Sequence, residues 1–308
     1  MTSRFLVTGG AGFIGSHLAD ELLKRGAGVV VLDDLSTGRR KNLSAEIEFI
    51  HGSVLDTDLI TKVAQGCAGI FHLAAIASVS KSNEDWIGSH RVNQTGTLAV
   101  FNASRALGGV PVVYASSAAV YGNQRVDRIT EQAVVRPLSP YGADKLGCEL
   151  HGHVAATLFG IPNIGLRFFN VYGPRQESSS PYSGVISIFA AKALGNLPIT
   201  IYGDGRQTRD FVNVADVVSH LIKAMNLSKG SEKTSGVFNV CTGKGKCVIE
   251  LAEMIISLLK SSSPILYGPP RSGDIEISVG SPDAARSLLG ISANVELREG
   301  LCKMMGID

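Results

Sequence analysis

The sequence lacks a long apolar run, an excess of charge and any paired cysteines, and each absence removes a class of function. A bilayer-crossing helix needs about 20 consecutive apolar residues, and no stretch of the 308 residues supplies them. The formal net charge is only +2, with no basic stripe and no run of like charges, so nucleic-acid binding has no electrostatic support. Five cysteines, Cys67, Cys148, Cys241, Cys247 and Cys302, are scattered and never spaced Cys-x-x-Cys. They read as small core residues in a reducing compartment, and no metal site is expected. A strand begins within a few residues of Met1 and leaves no room for a signal peptide, so a cytoplasmic location is expected. Internal repeats and low-complexity tracts are also missing.

What is present is organised around residues 4–18. The apolar run Phe5 to Val7 stops at a glycine cluster, and a helical pattern of Phe13, Ile14, Leu18, Leu22 and Leu23 starts at once. Gly9, Gly10, Gly12 and Gly15 fit two overlapping spacings, G-x-G-x-x-G and G-x-x-G-x-x-G. The first pair permits a turn with φ > 0. Gly12 lets the backbone approach a pyrophosphate, and Gly15 lets the helix pack on the strand. The helix N-terminus offers amide hydrogens and a partial positive charge to the phosphates. A second apolar run, Gly28 to Leu32, ends in Asp33-Asp34. Asp33 stands near the spacing of an acid that accepts hydrogen bonds from the adenosine ribose.

Strand and helix patterns then alternate. Ile47–Ile50 reads as a strand, Asp56–Gln65 as a helix, and Gly69–Leu73 as a buried strand opening into Ala74-Ala75. Asn83–Leu107 reads as one long helix, Pro111–Ala115 as a strand ending in Ser116-Ser117, about 141–159 as a second long helix, and 163–169 as a strand. Repeated β-α units imply a parallel sheet covered on both faces. Past residue 170 the texture becomes richer in Gly, Pro and Ser, with a helix over 185–195, short strands near Ile199 and Asp210, and helices near Val214, Val248 and Pro282. The expected class is α/β: a Rossmann-type doubly wound parallel sheet over residues 1–170, with a smaller C-terminal α/β lobe for substrate over 171–308 and an interleaved boundary.

Tyr141 and Lys145 are four apart, hence on one helix face, and that helix begins near the carboxyl edge of the sheet. A free phenol titrates near pH 10, and bringing one down by about 3 units needs roughly 4 kcal/mol. An ammonium about 4 Å away supplies that only at an effective dielectric near 20, not in bulk water. A catalytic pair therefore requires a partly dry cleft, with a serine nearby to share the proton.

Taken together, Thr8-Gly9-Gly10-Ala11-Gly12-Phe13-Ile14-Gly15, Asp33-Asp34-Leu35-Ser36-Thr37-Gly38, His72-Leu73-Ala74-Ala75, Ser116-Ser117-Ala118-Ala119-Val120-Tyr121-Gly122, Tyr141-x-x-x-Lys145 and Arg167-Phe168-Phe169-Asn170-Val171-Tyr172-Gly173-Pro174 resemble the extended short-chain dehydrogenases/reductases. Within them the chain is most similar to the NAD-dependent epimerase/dehydratase group, above all its UDP-sugar 4-epimerases. The resemblance implies NAD as cofactor, a UDP-sugar as substrate and a homodimer formed through the two long helices. It makes Tyr141 the base at the sugar 4-hydroxyl, Lys145 its activating partner and ribose ligand, and Ser117 the catalytic serine. Cofactor contacts are implied for Gly9, Gly12, Phe13, Ile14, Gly15, Asp33, Asp34, Ser36, Thr37, Gly38, Ser53, Val54, Leu73, Ala74 and Ala75, besides Tyr141 and Lys145. The acid at Asp33 disfavours a 2′-phosphate, which selects NAD over NADP, and Arg39 and Arg40 read as surface residues. Substrate contacts are implied for Ser117, Asn170, Val185, Tyr202 (stacked on the base), the diphosphate clamps Arg209 and Arg271, Asp274, and Ser278.

The chain departs from the resemblance in three places. Ser53 replaces an acid near the adenine, and Ala77 replaces a cofactor-contacting lysine. Ala118-Ala119 replace the Asp-Glu pair of the dehydratases; two alanines supply neither the acid nor the base that dehydration needs. A small residue at Ser278 resembles the enzymes that accept N-acetylated sugars, so UDP-GlcNAc/UDP-GalNAc and UDP-Glc/UDP-Gal both stand as substrates. A uronate epimerase or decarboxylase, and a dinucleotide-sensing protein without catalysis, remain as alternatives.

Overall fold

The computed structural model describes residues 3–124, 126–177, 184–230, 234–270 and 275–307. In the first half, apolar and β-branched runs form strands and the segments between them form helices: β1 (Arg4–Thr8), α1 (Phe13–Lys24), β2 (Gly28–Asp33), β3 (Glu48–His51), α2 (Thr57–Ala64), β4 (Gly69–His72), α3 (Val79–Glu84), α4 (Trp86–His90), α5 (Gly96–Ala106), β5 (Val112–Ser117), α6 (Pro140–Phe159) and β6 (Asn163–Phe168). Then come β7 (Asn170–Tyr172), α7 (Val185–Leu194), β8 (Ile199–Tyr202), β9 (Thr208–Asn213), α8 (Val214–Ser228), β10 (Gly236–Val240), β11 (Gly245–Cys247), α9 (Val248–Leu259), β12 (Ile265–Gly268), β13 (Ile277–Ser278) and α10 (Leu297–Met305).

Seven strands make one parallel sheet in the order β10-β6-β5-β4-β1-β2-β3. Its inner strands β1, β2, β4, β5 and β6 are almost wholly buried on both faces, as parallel sheets require, while the edge strand β3 is partly exposed. On one face, Leu18 and Leu22 of α1 and Val217, Leu221 and Met225 of α8 share a core with Val7, Val31 and Phe71. On the other, Ile60 and Val63 of α2, Val100 and Phe101 of α5, and Cys148 and Ala155 of α6 pack on Leu6, Val30, Ile70 and Tyr114. A separate core joins Ile186 and Phe189 of α7, Leu251 and Ile255 of α9, Ile199 and Ile201 of β8, and Phe211 of β9.

One sequence expectation is corrected. The helix expected to run unbroken from Asn83 to Leu107 is interrupted. Asp85 leaves the helical region, with φ −130° and ψ 79°, and its side chain accepts from the Gly88 amide to start α4 afresh. A wider turn over Arg91–Thr95 then leads into α5. A capping aspartate wins over helical periodicity here. The sheet continues past β6: Gly236–Val240, from the C-terminal half, pairs with β6 as the edge strand. No helix among the described residues is long and apolar enough to cross a membrane.

Candidate functional site

The chain passes from β1 through β2 to β3, then returns to the opposite side of β1 as β4. Ligands of such sheets sit outside the carboxyl ends of the strands at this reversal. Here Gly9 leaves β1 with φ +69°, and a Cβ on it would lie 2.6 Å from the Ala74 nitrogen. A Cβ on Gly15 would overlap the Gly9 carbonyl oxygen. At Gly12, by contrast, an added Cβ would meet only the Gly9 oxygen, at 3.2 Å, so its outer side is open. Gly12 caps α1 without a side-chain hydrogen bond, and the first turn holds no acid. An uncapped helix end in an open glycine cradle fits a dinucleotide's diphosphate. Phe13 and Ile14, half-buried, open that helix.

Asp33 ends β2 nearly buried, and its carboxylate braces the cradle: Oδ2 accepts from the Ala11 amide at 2.9 Å and Oδ1 from the Leu35 amide at 2.8 Å. Burial pushes the carboxyl above its ordinary pKa, against the pull of these two amides. A carboxylate has further lone pairs beyond these two bonds, and the bracing of the Ala11 and Leu35 amides is a role the sequence did not suggest. Asp34, Ser36 and Thr37 lie on the exposed loop that follows, which Gly38 packs against Asp33. The Ser53 hydroxyl accepts from the Leu55 amide at 3.2 Å. Val54 is buried in the core beside Gly96, which leaves only its backbone for ligand contact. Leu73, Ala74 and Ala75 line the end of β4, where Thr8 receives the Leu73 amide at its carbonyl, at 3.1 Å.

The second part of the site lies at the start of α6. Ser139 caps the helix by accepting from the Gly142 amide at 3.1 Å, and Pro140 fills the first turn. Tyr141 therefore stands at the helix entrance, its own amide donating to Ser82 Oγ at 3.2 Å. A Cβ on Gly142 would sit 2.6 Å from the Ala119 oxygen, so the missing side chain lets α6 seat against the turn after Ser117. Lys145 is only 2 % exposed. Its Nζ donates to the Ala115 carbonyl at 2.9 Å and lies 5.9 Å from the centre of the Tyr141 ring. The dry ammonium that the sequence argument required is thus present.

Strand alternation separates the two serines. Ser116 points into the protein and donates to Glu149 Oε1 at 2.5 Å. Ser117, half-buried at the strand end, accepts from the Ala119 amide at 3.1 Å. The tyrosines divide similarly. Burial raises the Tyr121 and Tyr172 phenols to about 12 and drives Tyr114 well above its ordinary value. These three stay protonated at physiological pH. His72, bonded to Thr8 Oγ1 at 2.8 Å and Thr97 Oγ1 at 2.9 Å, is taken down to about 3 by burial and, secondarily, by Lys145. It is neutral at physiological pH. Sequence reasoning passed over it, although it ends a strand next to the cradle. Asn93 was passed over too: its amide holds the Ile76 backbone at both ends, at 2.8 and 3.2 Å.

In the smaller lobe, Asn170 is exposed at the start of β7, just beyond the end of β6, and Val185 opens α7, packed partly into the lobe core. Tyr202 ends β8 with its ring against Gly268, beside an open cleft lined by Gly203, Asp204, Arg206, Tyr267 and Pro270. Arg209 and Ser278, 69 residues apart in sequence, are register partners in the parallel pair β9–β13. Arg271 and Asp274 lie outside the described residues.

Residues 5–241 match the NAD dependent epimerase/dehydratase family. The chain is 38 % identical to a UDP-glucose 4-epimerase of Mycolicibacterium smegmatis, over 97 % of this chain and 96 % of the other. It is 35 % identical to a UDP-N-acetyl-alpha-D-glucosaminuronate decarboxylase of Bacillus cytotoxicus, over 98 % and 96 %. Among solved structures it superposes on the UDP-glucose 4-epimerase of Thermotoga maritima with UDP-glucose at a TM-score of 0.93 and 35 % identity, covering 98 % of this chain and 97 % of that one. The UDP-N-acetylglucosamine 4-epimerase of Methanobrevibacter ruminantium in complex with UDP-N-acetylmuramic acid gives a TM-score of 0.93 at 32 % identity, covering 99 % and 98 %. Fold, cradle and relatives agree: this chain belongs to the NAD-dependent epimerase/dehydratase family.

Proposed function

We propose that the protein is an NAD-dependent 4-epimerase of UDP-sugars. The observation that carries this reading is the buried Lys145 ammonium beside Tyr141, at the first turn of α6 and on the sheet edge that holds the cradle. When bound, NAD supplies a reversible two-electron acceptor for the hydrogen on C4 of the sugar. Tyr141 takes the proton of the 4-hydroxyl. Lys145 stabilises the negative charge that develops on the phenolic oxygen, inside a site dry enough for that charge to matter. Ser117, whose oxygen is oriented by the Ala119 amide, hydrogen-bonds the same sugar oxygen and relays the proton. The flat 4-keto sugar turns over while its diphosphate stays anchored, and Tyr141 returns the proton after hydrogen reaches the opposite face. Carbon C4 is inverted with no net redox change.

Anchoring falls to Arg209 and Arg271, planar groups suited to bidentate phosphate recognition, with Asn170, Val185 and Asp274 beside the sugar nucleotide and Tyr202 against the base. The small side chain of Ser278, register partner of Arg209 across β9–β13, supports acceptance of N-acetylated sugars, so both UDP-GlcNAc/UDP-GalNAc and UDP-Glc/UDP-Gal are taken as substrates. Ala118 and Ala119, in the turn after Ser117, rule out acid–base dehydration at that position. The protein works as a cytoplasmic homodimer, joined through the exposed apolar faces of α4, α5 and α6. A decarboxylase is the second reading, favoured by the relative with that activity. A panel of UDP-sugars with product separation decides: 4-epimers with no lasting rise at 340 nm are expected. Release of CO2 from a UDP-uronate selects the second reading, and binding without turnover rejects both.

A further inference from the structure

Beneath the site runs a buried polar chain that the mechanism does not use. Glu149 lies one helical turn beyond Lys145 on the same face of α6. Its Oε1 accepts from Ser116 Oγ at 2.5 Å and from Arg167 Nε at 2.8 Å, and its Oε2 accepts from Arg167 Nη2 at 2.6 Å. Both side chains are more than nine-tenths buried. Ser116 and Arg167 are register partners across β5 and β6. Arg167 Nη1 goes on to donate to Tyr121 Oη at 2.8 Å and to the Glu131 carbonyl at 3.1 Å. Tyr121 donates to Asn239 Oδ1 at 2.7 Å, and the Asn239 amide donates to the Ile129 carbonyl at 2.9 Å. Residue 129 in turn is bonded at both ends to Val279 and Ser281, immediately after Ser278.

We propose that the Glu149–Arg167 pair is a positioning bracket, which sets the reach between Ser117 and the Tyr141–Lys145 face of α6 and carries that setting to the strand bearing Ser278. The inference rests on the reading above that these three residues perform the chemistry. Three features argue for positioning rather than mere cohesion. A buried ion pair is a poor source of stability, because apolar residues of similar volume often replace it without loss. A guanidinium–carboxylate fork, however, fixes direction as well as distance. The pair also touches the immediate neighbour of Ser117 and the helix turn next to Lys145, on two elements whose spacing decides whether phenol, serine and sugar oxygen meet. A displacement of about 1 Å at such a site costs on the order of 100-fold in rate.

The test compares full-length wild type with Ser116→Ala and with the double variant Glu149→Leu/Arg167→Met, which removes both charges together. For each, kcat and KM on the best UDP-sugar, bound NAD per chain, thermal unfolding and absorbance at 340 nm during turnover are measured. The bracket predicts a folded double variant with wild-type NAD content and a KM within about threefold of wild type. Its kcat falls on the order of 100-fold, and NADH accumulates because the displaced 4-keto sugar is not reduced again. Ser116→Ala, which removes one hydroxyl, falls about tenfold in kcat with the same pattern. A folded double variant with wild-type kcat overturns the proposal. If the double variant does not fold, Ser116→Ala decides alone, and an unchanged kcat there overturns it. Absence of any UDP-sugar turnover by wild type overturns the functional reading and this inference with it, whereas wild-type rates in the variants overturn the bracket only.

Discussion

Tyr141 differs from the buried tyrosines in its surroundings rather than in its chemistry. Tyr121 spends its hydroxyl on Asn239 and Arg167, whereas Tyr141 stands half-buried at a helix entrance with a desolvated lysine one turn behind it. Removing its hydroxyl in Tyr141→Phe is expected to lower kcat by about 10²- to 10⁴-fold, the usual contribution of a positioned acid–base group, with NAD still bound. Full-rate turnover by that protein would remove Tyr141 from the mechanism. Ser278 gives a second prediction at this scale. Enlarging it in Ser278→Tyr should depress turnover of N-acetylated UDP-sugars selectively, and equal losses on UDP-glucose and UDP-GlcNAc would reject the gate. The closeness of Tyr141 and Lys145 was legible in the sequence because a four-residue spacing on one helix is a local signal. The Ser116–Glu149–Arg167 group was not, since it takes both the register of β5 on β6 and the packing of α6 against them to bring residues 33 and 18 positions apart into one hydrogen-bonded group.

Among the elements, the glycine turn could be read in advance because Gly12 and Gly15 answer steric demands within the turn itself, while the demands on Gly9 and Gly10 come from Ala74, just past β4, and Val31 of β2. The break before α4 could not, because apolar periodicity through Trp86, Val92, Leu98 and Phe101 conceals a competing cap at Asp85. His72 makes the end of β4 sensitive to acid. Its folded pKa, about 3, lies below the unfolded value of 6.5. The unfolded chain therefore takes up the proton first, and stability is complete above about pH 6.5 and lost as pH falls toward 3. Between pH 8 and pH 5 the expected loss is about 2 kcal/mol. Burial raises the Asp33 and Asp210 carboxyls, which acts in the opposite sense. The informative comparison is with His72→Gln, which leaves both acids in place. Urea unfolding should show the wild type losing more stability than His72→Gln over this range; parallel losses would contradict the assignment.

At the level of the whole molecule, the parallel sheet followed from alternating β-α patterns, but its edge strand did not. Gly236–Val240 reaches β6 from the other half of the chain, and only tertiary packing directs it there. The outer faces of α4, α5 and α6 leave Ile87 77 % and Leu158 69 % exposed, with Trp86, Leu150 and Val154 alongside. An apolar surface of this kind marks an interaction site, and a twofold pairing of copies through it is expected. Light scattering at micromolar concentration should give the mass of two chains, and Leu158→Arg should give one; a monomeric wild type would reject the dimer. The central claim concerns the path of one hydrogen atom, which a tracer follows directly. UDP-glucose carrying deuterium on C4 is incubated with the protein in ordinary water, and the C4 epimer is isolated. Deuterium fully retained on the inverted carbon is the predicted result. Hydrogen from solvent at C4, or no inversion with any UDP-sugar deuterated at that position, would contradict it.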